Sequence, residues 1–165
     1  MGCQKKEEGT TRMTIENWKN DIEFLFNTLE TKHIHPYHST SKNSVQQKVG
    51  ELIKKLPNLS SDEIFIALSK IIRSLDDSHT GIWAQSEFYE SYPLEFFVFD
   101  NAEIRVLRAP KQHPELLGSK LICIDNTPLK KITKEVLLVI QCADNWHSES
   151  ERLAGYLKYS KILKP

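Results

Sequence analysis

In the first half of the chain, hydrophobic residues recur at steps of three and four, and this spacing predicts three amphipathic helices. Thr14 can cap the start of the first helix, and Pro36 lies just past its end. The third helix starts with a capping box, in which Ser60 and Glu63 can satisfy each other's backbone donors. Its predicted apolar face holds Ile64, Ala67, Leu68, Ile71, Ile72 and Leu75. We expect residues 13–77 to form a helical cap that packs as a three-helix bundle.

Beyond Asp77 the hydrophobic pattern shortens to a period of two, which is typical of strands. An Asp-Asn turn signal separates two of these strands and predicts a hairpin, and Gly118 can close a helical turn. The predicted elements are strands at 79–84, 94–99, 103–107 and 120–124, a helical turn at 113–117, and helices at 132–140 and 148–159.

Helices come first and mixed strands and helices follow, and this order predicts an α+β fold. Residues 1–12 are polar and without periodicity, so we expect a disordered tether. Residues 13–77 are the helical cap, and residues 78–165 are a small mixed β/α module. Apolar residues run to the last position, which fits a docked terminal segment or a module that is incomplete.

Composition and charge narrow the function. The 165 residues suit one domain, or one domain with a small second module. The 22 basic and 22 acidic side chains cancel, so there is no basic excess to attract nucleic acid or an anionic membrane. No apolar run approaches the roughly 18 residues of a membrane span.

The three cysteines are isolated, so neither a zinc ribbon nor a disulfide framework is expected. Cys123 lies in an apolar run and is expected to be a buried thiol, as is Cys142. A Cys142 nucleophile beside His147 is the alternative for the latter.

Gly2 and Cys3, followed by a polar tract, resemble the lipidation site of a bacterial lipoprotein, although the apolar signal segment that should precede them is missing. An extracytoplasmic protein, held to the membrane only by a lipid on Cys3, is the prediction. The alternatives are a flexible terminus and an N-myristoylated Gly2, for which Lys6 replaces the usual Ser or Thr.

Histidines and carboxylates cluster at two places. His33, His35 and His38 could offer zinc ligands, with His79 or Asp77 as a third, but a solvated connection is the favoured interpretation because a proline interrupts the spacing. Asp76-Asp77-Ser78-His79-Thr80 could perform acid–base or nucleophilic chemistry. Adjacent side chains of an extended segment point to opposite faces, so we favour a structural motif of Asp77, His79 and Thr80 that ties the third helix to the next strand.

The chain lacks the nucleophile-elbow, P-loop, dinucleotide-binding and zinc-protease signatures, so we expect no cofactor, no metal and no catalytic residue. Several strings nevertheless resemble the N-terminal region of the C-terminal-processing (tail-specific, tricorn-like) serine peptidases over residues 13–160. These strings are His35-Pro36-Tyr37, Asp77-Ser78-His79-Thr80, Tyr92-Pro93-Leu94, Leu116-Leu117-Gly118-Ser119-Lys120-Leu121 and Ile124-Asp125-Asn126-Thr127-Pro128. In the family the matching strings read like His-Pro-x-Tyr, Asp-Gly-His-Thr and Leu-Gly-x-x-Leu-x-x-Ile-Asn-Gly-x-Pro.

The resemblance implies that residues 78–165 are a PDZ-like module that docks a peptide or protein substrate. The implied docking residues are Leu116, Leu117, Gly118, Leu121, Ile122 and Ile124. Ser78 replaces the Gly that the family prefers, and the family's catalytic serine and lysine have no counterpart here. We therefore expect the non-catalytic, substrate-docking part of a serine–lysine peptidase, inactive alone; the alternative is a stand-alone, surface-anchored peptide- or ligand-binding module.

Overall fold

The computed structural model describes residues 14–84 and 86–163, and within them the fold is α+β, as predicted. The helices are α1 (Ile15–Lys32), α2 (Lys42–Lys55), α3 (Ser61–Arg73), α4 (Leu129–Leu137), α5 (Trp146–Tyr156) and α6 (Ser160–Leu163). The strands are β1 (Glu95–Val98), β2 (Ile104–Arg108), β3 (Cys123–Ile124) and β4 (Thr127–Pro128), which form two antiparallel pairs. The predicted tether and Cys3 lie outside the described residues. Among those residues, no helix has the length and apolarity that crossing a membrane requires.

The first and third helices begin where the sequence predicts, because polar side chains satisfy their first backbone donors. The Thr14 hydroxyl accepts a hydrogen bond from the Asn17 N–H at 3.1 Å. At the start of α3, Ser60 and Glu63 form the predicted capping box, with each side chain bonded to the other's backbone. The hydrogen bonds with Ser60 also hold the pKa of the Glu63 carboxyl below its usual value.

Helix α3 buries two faces. One face joins α1 and α2 in a first hydrophobic cluster, and Phe65 and Ile66 pack against a second cluster. The first cluster consists of Ile22, Phe26, Leu29, Val45, Leu52, Leu56, Ile64, Leu68, Ile71, Ile72 and Leu75. The second consists of Phe88, Phe96, Val98, Ile104, Val106, Ile132, Val136, Ile140, Leu153, Leu157 and Ile162. The predicted apolar face of α3 was therefore only one of the two that it buries.

The hairpin of β1 and β2 confirms the predicted strands at 94–99 and 103–107. Its inward residues Phe96, Val98, Ile104 and Val106 alternate with exposed ones and supply the strand side of the second cluster. Only residues 123–124 of the predicted strand at 120–124 form a strand, and β3 turns into β4 through two positive-φ residues. Such a two-residue turn matches the right-handed twist of its strands.

Two sequence expectations differ from the structure. Residues 79–84 were predicted to form a strand, but they have no regular secondary structure. The Asp77 carboxylate holds the backbone N–H of His79 and the hydroxyl of Thr80, and this local turn replaces a strand. Cys123 is exposed rather than buried, whereas Cys142 is 7% exposed as expected.

Candidate functional site

The two strands of the hairpin differ in how their outer edges are used. Beyond β2, the following chain supplies a partner: the Val106 N–H donates to the Ser119 carbonyl at 3.0 Å, and the Val106 carbonyl accepts from the Gly118 N–H at 2.9 Å. The Leu121 N–H extends this pairing to the Ile104 carbonyl at 2.8 Å. Strand β2 is thus paired on both sides, whereas β1 is paired on one side only in the described structure.

The hydrogen-bond pattern shows which groups of β1 face its free edge. Alternate residues of an antiparallel pair bond to the partner, and those between them point away. Ile104 and Val106 bond to the segment beyond β2, so the Arg105 backbone between them faces β1 and its register partner Phe97. The N–H and C=O groups of Phe96 and Val98 therefore point toward the free edge, and no backbone partner meets them among the described residues.

A groove of about 510 Å³ runs between β1 and α5. The Tyr92 N–H donates to the Lys158 carbonyl at 2.9 Å, so the chain entering β1 lies beside the chain leaving α5. The end of β1 is consequently directed toward the start of α5. On the helix side the groove is lined by Trp146, His147, Ser150, Glu151, Ala154, Gly155 and Lys158.

Two small residues of α5 shape this groove. Ser150 is 7% exposed, and its hydroxyl oxygen is buried without a hydrogen-bond partner among the described residues. An unpaired buried hydroxyl costs about 1–3 kcal/mol, which a ligand that bonds to it would offset. A Cβ added at Gly155 would meet no atom within 4 Å, so the glycine leaves open space beside the strand. The floor is therefore polar at one point and open at another.

The docking residues implied by the sequence lie elsewhere. Leu117 and Ile122 are exposed, and Leu116, Leu121 and Ile124 pack against the second cluster. The segment that contains these residues, including Gly118, is what covers the outer edge of β2, as the bonds to Val106 and Ile104 show. That edge is occupied, and the open groove lies on the opposite side of the hairpin. The sequence signal for it was an adjacent Ala154 and Gly155 within a predicted helix, which leave room beside a strand.

Asp77 is the centre of a polar junction between the first helices and the rest of the chain. Its carboxylate accepts hydrogen bonds from the Thr80 hydroxyl at 2.5 Å, from His33 Nε2 at 2.7 Å and from the His79 N–H at 3.0 Å. The bond from Thr80, followed by those from His33 and His79, holds the pKa of Asp77 far below its usual value. The carboxylate is therefore ionised at neutral pH.

The tautomer of His33 follows from its neighbours. The His35 N–H donates to His33 Nδ1 at 3.2 Å, so Nδ1 is an acceptor. The other nitrogen, Nε2, therefore carries a hydrogen and donates it in the hydrogen bond to Asp77. The His33 ring thus links the end of α1 to the residues after α3. The Tyr37 hydroxyl donates to Glu30 at 2.7 Å, and burial together with this bond raises the pKa of Tyr37 to about 12.

The remaining histidines do not form a reactive or metal-binding cluster. His38 bonds to backbone carbonyls of His35 and Asp76. The His79 side chain is 87% exposed, and Asp77 holds this residue by its backbone N–H rather than by its ring. In the chain as described, no three His, Cys, Asp or Glu side chains are grouped to hold a metal ion.

Ser78 and His79 do approach each other, contrary to the expectation for adjacent residues. The Ser78 hydroxyl lies 3.0 Å from His79 Nδ1, and Asp77 lies 3.8 Å from the same nitrogen. A carboxylate orients a catalytic histidine through the nitrogen that does not face the nucleophile. Here Asp77 and the Ser78 hydroxyl both lie on the Nδ1 side of an exposed ring, so the arrangement lacks the geometry of a triad.

The buried thiol of Cys142 belongs to a second contact across the same junction. Its Sγ donates to Asp76 Oδ1 at 2.9 Å, and burial, reinforced by this bond, raises its pKa. A protonated, buried thiol is a poor nucleophile. Gln141 Nε2 beside it donates to the Ser78 carbonyl at 2.7 Å, so both side chains fix the loop after α3. His147 instead lines the groove.

Comparisons with known proteins do not identify a relative of this chain. No protein-family model matches the chain, and neither curated proteins nor solved structures gave a match. The resemblance of residues 13–160 to the tail-specific peptidases stays a prediction from the sequence. The groove between β1 and α5 is therefore the feature from which we infer a function.

Proposed function

We propose that this chain is a non-catalytic docking module that binds an extended peptide along the free edge of β1. The observation that supports the proposal is the unpaired edge at Phe96 and Val98, which faces the groove beside α5. An added strand would take main-chain hydrogen bonds from β1, and its side chains would contact α5. In the proposed PDZ-like module, the groove between β1 and α5 would be the place where the peptide docks.

The proposal extends to the protein context that the sequence suggests. The ordered strings from His35 to Pro128 favour the substrate-docking, N-terminal part of a serine–lysine peptidase of the C-terminal-processing family. A lipid on Cys3 would place the module at a membrane surface outside the cytoplasm. In this proposal the chain delivers substrate and does not cleave it.

Filling the groove tests the docking function. Gly155→Phe adds a ring where a Cβ meets no neighbour, so the variant should fold and block the groove. Gly50→Phe is the matched control, since Gly50 is a glycine of α2 with equally open surroundings. Titration of fluorescein-labelled unstructured peptides should show at least about tenfold weaker binding for Gly155→Phe and no change for Gly50→Phe, because only the former excludes a ligand.

The amide resonances of β1 supply an independent readout. Peptide addition should shift the ¹⁵N–¹H signals of Phe96 and Val98 more than that of Phe97, whose N–H already bonds within the hairpin. Equal weakening by both glycine variants, or shifts spread evenly along the strand, would contradict the proposal. Peptide cleavage by the purified chain would contradict its non-catalytic part.

A further inference from the structure

We infer that the groove between β1 and α5 selects peptides that present an arginine, or more weakly a lysine, to its carboxylates. This inference rests on the proposed function and adds the chemical class of the ligand. Asp100 lies just past the end of β1, and Glu151 lies in the middle of α5. Neither has an ion-pair partner within the described part of the chain, and both are exposed residues that line the groove.

The other charges of the groove are placed so that they do not cancel these two. Glu95 pairs with Arg108 at 3.3 Å, a residue that is not part of the groove lining. Lys158 lies at the far end, where its ammonium stands 5.5 Å from the centre of the Tyr159 ring. The half of the groove near the start of α5 therefore has an excess of negative charge.

The start of α5 does not attract a carboxylate in compensation. A helix N-terminus favours anions through its free N–H groups and its dipole. Here the Asn145 side chain accepts from the Ser148 N–H at 3.0 Å, and Glu149 in the first turn pairs with Arg73 at 2.6 Å. The protein supplies its own anion and cap, so a peptide carboxylate gains little at this end.

The same end of the groove suits a guanidinium. Trp146 is half-exposed and lines the groove with Asp100, and an arginine can stack on an indole while it bonds to a carboxylate. The buried Ser150 hydroxyl, which has no hydrogen-bond partner among the described residues, lines the groove together with Trp146 and Gly155. After rotation it can bond to the backbone of the added strand, whose alternate groups point away from β1 toward the helix. The carboxylates of Asp100 and Glu151, the Trp146 ring and the Ser150 hydroxyl together suit an extended ligand with a cationic side chain.

Paired peptides test the selection directly. Peptides of one unstructured sequence would carry either arginine or citrulline, its neutral isostere, at each position in turn, and binding would be measured at pH 8 in low salt. At one register the arginine peptide should bind about three- to tenfold tighter, from two exposed ion pairs, and 0.5 M salt should remove most of the difference. Asp100→Asn and Glu151→Gln should each reduce the preference, while Asp21→Asn, an exposed carboxylate of α1, should not.

The possible outcomes distinguish a failure of the arginine preference from a failure of the proposed docking function. If arginine and citrulline peptides bind equally and Gly155→Phe still blocks them, the groove docks peptides without the proposed selection, and the inference is wrong. Tighter binding of peptides with acidic residues would also overturn it. If no peptide binds at any register, both the docking function and its selectivity fail together.

Discussion

The two hydrophobic clusters of this protein differ in how the backbone hydrogen-bonding groups of their elements are satisfied. The first consists of helices, whose backbone groups are satisfied internally and whose starts are capped by side chains such as Thr14 and Ser60. The second contains a hairpin, and a strand needs a neighbour on each side. Strand β2 obtains one from residues 118–121, but β1 does not. Proteins usually cover or charge an open strand edge, so an edge left beside a groove is where a ligand is expected.

The contrast does not make the two parts independent. Helix α3 contributes to both clusters, and Arg73 near its end donates to the Leu137 carbonyl and to Glu149. Asp77 and Gln141 add bonds across the junction. Because these contacts are lost if either part opens, we expect the described residues to unfold as one unit.

Truncating one residue in each cluster tests this expectation and has the largest effect. Leu75 and Leu157 are each 1% exposed, in the first and second cluster respectively. Leu75→Ala and Leu157→Ala should each lower the free energy of unfolding by about 2–5 kcal/mol, because each leaves a cavity. Urea denaturation should show a single transition that both variants move, and the exposed Leu138→Ala should leave it within about 0.5 kcal/mol.

Hydrogen exchange distinguishes the alternative. If Leu157→Ala speeds exchange only in the amides of β1, β2 and α5, while α1 and α2 keep their protection, the two parts unfold separately. The contacts of α3 would then be too weak to couple the clusters.

Removing the charge at the junction should have the next largest effect. Asp77→Asn retains the shape but weakens the bonds from Thr80, His33 and His79, so the free energy of unfolding at pH 7 should fall by about 1–3 kcal/mol. The pKa of Asp77 is lowered in the folded state, so its carboxylate stabilises the fold above pH 4 or so, where the unfolded group is ionised.

The stabilisation by the Asp77 carboxylate is lost as the pH falls through the pKa of the folded state, so the effect of Asp77→Asn should decrease in acid. Urea denaturation at pH 7, 5 and 3 should show the gap between native protein and Asp77→Asn shrinking toward acid. The exposed Asp21→Asn serves as the control. A gap that stays constant or grows in acid would contradict the assigned role of Asp77.

The parts that the sequence predicted well are those determined by local chemistry. The capping box of Ser60 and Glu63 and the turn between β1 and β2 depend on residues close in sequence. The sequence pattern does not show which side-chain hydrogen bonds form or which segments pair across the fold. The strand predicted at 79–84 is replaced by a turn that Asp77 holds through side-chain hydrogen bonds. The segment that contains the predicted docking residues Leu116, Leu117, Gly118, Leu121, Ile122 and Ile124 pairs with β2, and its docking role stays a prediction.

The histidines of the junction also show that a sequence pattern does not reveal contacts between distant residues. Sequence spacing placed His79 beside Asp77 and therefore made it part of the predicted structural motif with Thr80. Residue 33 is 44 positions from Asp77, so no local pattern could pair them, yet it is His33 whose ring bonds to the carboxylate. The imidazole comes within reach of Asp77 because α1 and α3 share the first hydrophobic cluster.

The smallest of these effects separates the two histidines. His33→Ala removes the ring that bonds to Asp77 at 2.7 Å and should lower the free energy of unfolding by about 1–2 kcal/mol. His79→Ala keeps the backbone N–H that Asp77 accepts and removes an exposed ring, so it should change stability by less than about 0.5 kcal/mol. Thermal unfolding at pH 8 compares both with the native protein, and adding Asp77→Asn to each closes a double-mutant cycle. The geometry predicts that Asp77 is energetically coupled to His33 and not to the His79 ring. If His79→Ala lowered the free energy of unfolding more than His33→Ala, the His79 ring would be the partner of Asp77, as the sequence alone suggested.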